Sequence, residues 1–73
     1  MNLKPGIYKH FKGNLYEVID VARHSETEEL FVVYKPMYGD RQTWIRPLAM
    51  FDETIERDGR TMKRFQAVNE TDL

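Results

Sequence analysis

Short runs in which apolar and polar residues alternate, each closed by Gly, Asn, Asp or Pro, occupy the chain from Gly6 to Phe65. That period of two, rich in β-branched and aromatic residues, predicts strands, and no window carries a helical repeat. Gly6–Phe11 reads as the first strand, with Ile7 and Lys9 facing away from Tyr8 and His10. Lys12-Gly13-Asn14 supplies a tight reversal, because Gly and Asn tolerate positive φ. Leu15–Arg23 is the longest strand, and its alternation slips: Tyr16 and Val18 share one face, Ile19 and Val21 the other. A bulge or bend near Ile19-Asp20 reconciles the two halves.

The polar turn Arg23-His24-Ser25-Glu26-Thr27 leads into Leu30–Lys35, apolar on both faces and therefore predicted to be central. Pro36 is expected to end that strand, since it has no N–H for the ladder. A loop around Gly39 precedes a fourth strand, Gln42–Arg46, with Trp44 and Arg46 on one face and Thr43 and Ile45 on the other. Pro47–Phe51 begins with proline and continues with helix formers, which predicts one α or 3₁₀ turn. Thr54–Phe65 is a hairpin about Asp58-Gly59. A two-residue turn pairs Ile55 with Met62 and Glu53 with Arg64, but sets Arg57 against Arg60. A glycine bulge would pair Glu56 with Arg60 and leave Ile55 opposite Thr61. Burial of the apolar pair outweighs a screened surface charge pair worth under about 1 kcal/mol, which favours the two-residue turn.

Five to six short antiparallel strands with at most one helical turn predict an all-β fold, best satisfied by a small SH3-like β-barrel whose closure hides strand edges. An oligonucleotide-binding barrel needs more chain and a helix between strands, and ranks second. The expected organisation is one domain over residues 1–66 and a flexible, polar tail over 67–73.

Composition narrows the function classes. The 73 residues suit one small domain, and the absence of cysteine removes disulfides and thiolate chemistry and points to a reducing compartment. No apolar run has the length of a signal peptide or a membrane span, so a cytoplasmic protein without membrane partners is expected. Asn69-Glu70-Thr71 fits a glycosylation sequon that is meaningless without secretion. A net charge of −1 argues against strong, non-specific nucleic-acid binding.

Several segments together resemble a bacterial family, domain-of-unknown-function family 1653. They are Pro5–Asn14, Tyr16-Glu17-Val18, Ala22–Thr27, Val32-Val33-Tyr34, Tyr38-Gly39-Asp40 and Trp44–Pro47 with Met50-Phe51. The resemblance spans roughly two-thirds of the chain in order. It implies a small SH3-like barrel and brings no activity, cofactor or partner.

The polar turn carries more chemistry than chain reversal needs, yet His24, Ser25 and Glu26 alternate in direction on an extended chain and cannot form a catalytic relay by themselves. His10 and Asp40 are the obvious outside partners for one. His10, His24, Glu26 and Asp40 lack metal-ligand spacing, so no metal, cofactor or catalytic residue is assigned. The structural alternative is that Ser25 and Thr27 bond the turn's own backbone while Glu26, Glu28 and Glu29 stay solvated. Of the aromatics Tyr8, Tyr34, Tyr38 and Trp44, some must fill the core and others are free to line a groove. The expectation is a non-enzymatic binding module for a peptide or small polar ligand, monomeric or weakly dimeric. Its groove would combine Arg23, His24, Ser25, Glu26 and Thr27 with Tyr38, Asp40, Trp44 and Arg46. The structural alternative for Arg46 is an ion pair with Asp40 or Glu53. The alternative is an RNA-binding accessory domain using Arg57, Arg60, Lys63 and Arg64.

Overall fold

The structure, a computed structural model, describes residues 3–68. Strands β1 (Gly6–His10), β2 (Leu15–Arg23), β3 (Leu30–Pro36) and β4 (Trp44–Pro47) follow in order. A single helical turn, α1 (Leu48–Phe51), precedes β5 (Thr54–Arg57), β6 (Arg60–Lys63) and β7 (Phe65–Ala67). The fold is all-β. One antiparallel sheet has the order β4-β3-β2-β1-β7, and β5-β6 forms a separate two-stranded ribbon.

The slip in β2 is a bulge. Pairing with β3 shifts between Val18 and Asp20, so Val18 faces Tyr34 while Val21 faces Val32. Ile19 takes the unpaired position and is exposed, and the Asp20 carboxylate accepts the Val21 N–H at 2.8 Å. Tyr16 and Val18 on one side of the bulge and Val21 on the other therefore face the same way, which is the purpose such an insertion serves.

Directly opposed residues of antiparallel strands share a face. The inner face accordingly carries Tyr8, Tyr16, Val18, Val32 and Tyr34, and also Trp44 and Arg46 from β4. The core on that face consists of Tyr8, Val18, Val32, Tyr34, Leu48, Phe51 and Phe65. Phe51 is 1% exposed and stacks flat on Phe65, with centroids 4.0 Å apart and planes 4° from parallel. Tyr8 and Tyr34 present edges to Phe51 at 5.7 and 5.3 Å, and the Tyr8 hydroxyl donates to the Lys4 carbonyl at 2.8 Å. Pro47 sets the entry to α1, whose Leu48 and Phe51 are its buried positions.

The ribbon adopts the two-residue register, Ile55 opposite Met62 and Arg57 opposite Arg60. Asp58 and Gly59 both have positive φ (54° and 76°), as a type I′ turn requires. Other boundaries differ from expectation. The strand expected to be central, β3, is flanked by β4 and β2, and the middle of the sheet belongs to β2. Pro36 closes β3 from within, opposite Tyr16. Strand β4 starts at Trp44 rather than Gln42, because Gly39 and Arg41 hold left-handed φ (63° and 54°) and keep the loop curled until then. Gln66, Ala67 and Val68 are bound to β1: Gln66 and Ala67 pair with Lys9 and Tyr8, and Val68 N–H donates to Ile7 at 2.9 Å. Burial of Phe65 draws this short polar segment onto the sheet. The remainder of the expected tail, with the sequon, lies outside the described residues.

Phe51→Ala removes the ring on which β1, β3 and β7 converge, and should lower the unfolding free energy by about 3–5 kcal/mol in urea denaturation. Phe51→Leu should lose less, since most of the volume is retained.

Candidate ligand-binding groove

Beyond α1 the inner face of the sheet is uncovered, and there it opens into a groove of about 430 Å³. Tyr16 and Tyr34 form its floor, Tyr38 and Trp44 its exposed walls, and Asp40, Arg41 and Arg46 its charged margin. The alternation of strand side chains explains the floor, for Tyr16 faces Pro36 and Tyr34 faces Trp44 across the ladder. Tyr38 is held from the loop by a 3.0 Å hydroxyl–hydroxyl hydrogen bond to Tyr16, and Met37 N–H donates to the Leu15 carbonyl at 3.0 Å. Burial, followed by the Tyr38 hydrogen bond, pushes the Tyr16 hydroxyl up to about 12.

Arg46 is half-buried on the same face, its guanidinium 5.6 Å from the centroid of the Phe65 ring. Neither Asp40 nor Glu53 pairs with it: no carboxylate of the described residues forms a salt bridge to Arg46, and Glu53 is bound to Arg64. The groove thus places an uncompensated guanidinium beside four aromatic rings. Its chemistry suits a carboxylate on a partly apolar ligand, because the fork matches two oxygens and the rings exclude competing water.

The polar turn does not belong to this groove. Arg23 pairs with Leu30 at one end of the β2–β3 ladder, and Tyr16 with Pro36 at the other. Those ends are separated by about 20 Å of strand, so Arg23, His24, Ser25, Glu26 and Thr27 do not join Tyr38, Asp40, Trp44 and Arg46. The turn's chemistry is spent on its own backbone. His24 Nδ1 accepts from Glu26 N–H (3.1 Å) and Thr27 N–H (3.3 Å), and Thr27 Oγ1 accepts from Glu29 N–H (3.2 Å). Arg23 donates to the Glu28 carbonyl at 3.2 Å, and Glu28 itself has a left-handed φ of 63°. The capping acceptor is His24, where the sequence had suggested Ser25 beside Thr27. No group of three or more His, Asp or Glu side chains among the described residues gathers to hold a metal.

Sequence reasoning placed Tyr16 on one face with Val18 but did not name it as a groove residue. It also counted Tyr8 as a groove candidate, whereas Tyr8 is buried against Phe51. Of the four basic residues proposed for RNA, two are already paired. Lys63 binds Asp52 at 3.0 Å, and Arg64 binds Glu53 through Nε at 2.7 Å and through Nη2. His10 lies beside Phe65 and Tyr16, and burial, then Arg64, Lys12 and Arg46, hold its imidazole below the ordinary histidine range.

A family model described as a protein of unknown function, DUF1653, matches residues 6–67. The chain belongs to this family. A crystal structure of a DUF1653 protein from Bordetella bronchiseptica is similar to it at 33% identity and a TM-score of 0.82, over 92% of this chain and 88% of that one. No curated protein matches the chain. For DUF1653 the likeness therefore carries fold and membership, and the groove carries the chemistry. No helix among the described residues is long and apolar enough to cross a membrane.

Two outcomes follow from the geometry of the hydroxyl pair and of the turn. A tyrosine whose folded pKa is raised stabilises the protein fully below its unfolded value of 10.0, and that contribution is lost as pH rises toward about 12. Unfolding free energy should fall over this window, and Tyr16→Phe should flatten the fall. His24→Ala should cost about 0.5–1.5 kcal/mol by leaving two turn amides to water, and His24→Asp, which keeps an acceptor, should cost less in the same denaturation assay.

Proposed function

We propose that this protein is a non-enzymatic binding module that takes an extended, carboxylate-bearing peptide in the groove of Tyr38, Trp44 and Arg46. The observation that carries the reading is the half-buried Arg46 guanidinium, free of any carboxylate among the described residues and set among aromatic side chains. Extended peptides, above all those in the polyproline II conformation, dock in aromatic-lined grooves because flat rings accept a preformed, low-entropy backbone. The groove's volume falls within the range of ligand sites. The same reading takes the five-stranded sheet and the β5–β6 ribbon together as a small barrel of SH3-like type.

Trp44 is the only tryptophan of the chain, so its fluorescence reports on the groove without a label. A capped peptide of alternating proline and glutamate should change that emission saturably, and the glutamine version of the peptide should bind far more weakly. Arg46→Gln should weaken binding of the glutamate peptide by about 10–100-fold, the worth of a charge-assisted, two-point hydrogen bond. Arg46→Lys should fall in between, because it keeps the charge and loses the fork. Equal binding of the two peptides, or no response to either, overturns the reading.

A further inference from the structure

A second surface arises where the β5–β6 ribbon meets the β1–β2 turn. The hairpin register sets Arg57 directly opposite Arg60. Like charges facing each other across a ribbon repel, and neither arginine forms a salt bridge among the described residues. The Arg57 guanidinium rests 5.4 Å from the centroid of the Phe11 ring, and Lys12 Nζ approaches the same ring at 5.8 Å. Arg64 is also near this ring, at 6.0 Å, but Glu53 neutralises it. Phe11, Lys12, Arg57, Asp58, Arg60 and Met62 line one open depression, in which three cations face a single carboxylate. An adjoining depression shares Phe11 and Met62 and continues past Lys9 and Lys63. Lys63 is held by Asp52 and alternates to the opposite face of the ribbon from Arg60, so Lys12, Arg57 and Arg60, unpaired among the described residues, gather about the one depression beside Phe11.

We propose that Lys12, Arg57 and Arg60 form a phosphate-binding patch for the backbone of single-stranded nucleic acid, separate from the aromatic groove. Three exposed cations around one open depression match the neighbouring phosphates of a strand, where an isolated ion would need an enclosing cradle. Phe11 steadies the cations and has their charge over its ring, so it does not serve as a stacking platform, and binding depends on charge without reading sequence. The face-to-face arginines repel each other, and a phosphate that bridges them supplies a counter-charge. Stability and binding therefore oppose one another at this position.

Fluorescence anisotropy of a labelled oligothymidylate, titrated with the full chain over a salt series, tests the proposal. Three phosphate contacts predict a slope of log affinity against log salt of about −2. Arg57→Gln or Lys12→Gln should each reduce that slope by about 0.7. Arg60→Glu gives Arg57 an opposite charge to face; it should raise the thermal midpoint while abolishing binding, which excludes misfolding as the cause of the loss. Trp44→Ala, in the groove, should leave oligonucleotide affinity unchanged, and an oligoadenylate should bind equally well. A slope near zero, unaltered binding by Arg60→Glu, or displacement by polyglutamate or inorganic phosphate at the same charge concentration as by unlabelled oligonucleotide would each overturn the proposal.

Discussion

The flat contact between Phe51 and Phe65 ties together parts of the chain that no backbone ladder joins. Phe51 ends the helical turn after β4, and Phe65 begins the strand that pairs with β1 on the far side of the sheet. Their stack, at 4.0 Å, draws both ends of a five-stranded sheet toward one point. Rings pack in this way because a large apolar area is buried with few torsions to fix, and the edges of Tyr8 and Tyr34 complete the favoured edge-to-face arrangement around the pair. Among the described residues the buried side chains form one cluster, so no second core compensates for a loss there.

The stack also shapes the surface. Phe65 touches Tyr16 and Tyr34 at 5.4 and 6.0 Å, and Tyr16 in turn meets Tyr38 at 5.9 Å. Aromatic contact therefore runs without a break from the centre of the core to the wall of the groove. Arg46 lies over the ring of Phe65, so the residue that anchors the core also positions the cation beside which a ligand would lie. Rigid support of this kind is what a preformed site requires, since a side chain fixed beforehand loses little entropy when a partner arrives.

Most strands were legible because each buries one face, and a period of two records that burial directly. The bulge was legible for the same reason: Val18 and Val21 both required burial while lying an odd number of positions apart. Strand β7 was hidden because three residues, of which only Phe65 is buried, cannot display a period. Of the expected site, Tyr38, Asp40, Trp44 and Arg46 come together because they sit close in sequence around one loop and strand. The turn at His24 was misassigned for a different reason. Its residue types are those of an active site, but imidazole and hydroxyl oxygen are also good acceptors for turn amides, and residue type alone does not distinguish the two uses. Only the direction of β3, which carries the chain away from the turn before reaching Tyr38, separates them.

That separation changes the meaning of the net charge. The carboxylates Glu26, Glu28 and Glu29 crowd the turn that follows β2, whereas Lys12 lies in the turn that precedes it, about 25 Å of strand away. The β3–β4 loop, with the groove, lies at the Lys12 end, since Pro36 pairs with Tyr16 near the start of β2. Charges so far apart are screened from each other at physiological salt, where the Debye length is about 8 Å. The carboxylates of the turn and the cations around Lys12 therefore act independently, and a total of −1 averages over both. The composition correctly argues against binding nucleic acid over the whole surface, yet it places no limit on one end of the molecule, where the field is set by the cations within a Debye length. The two proposed surfaces share that end and differ in kind: one offers aromatic walls around the Arg46 guanidinium, the other a cluster of exposed cations without walls. An anion drawn in by the cluster would still need apolar bulk to be retained in the groove.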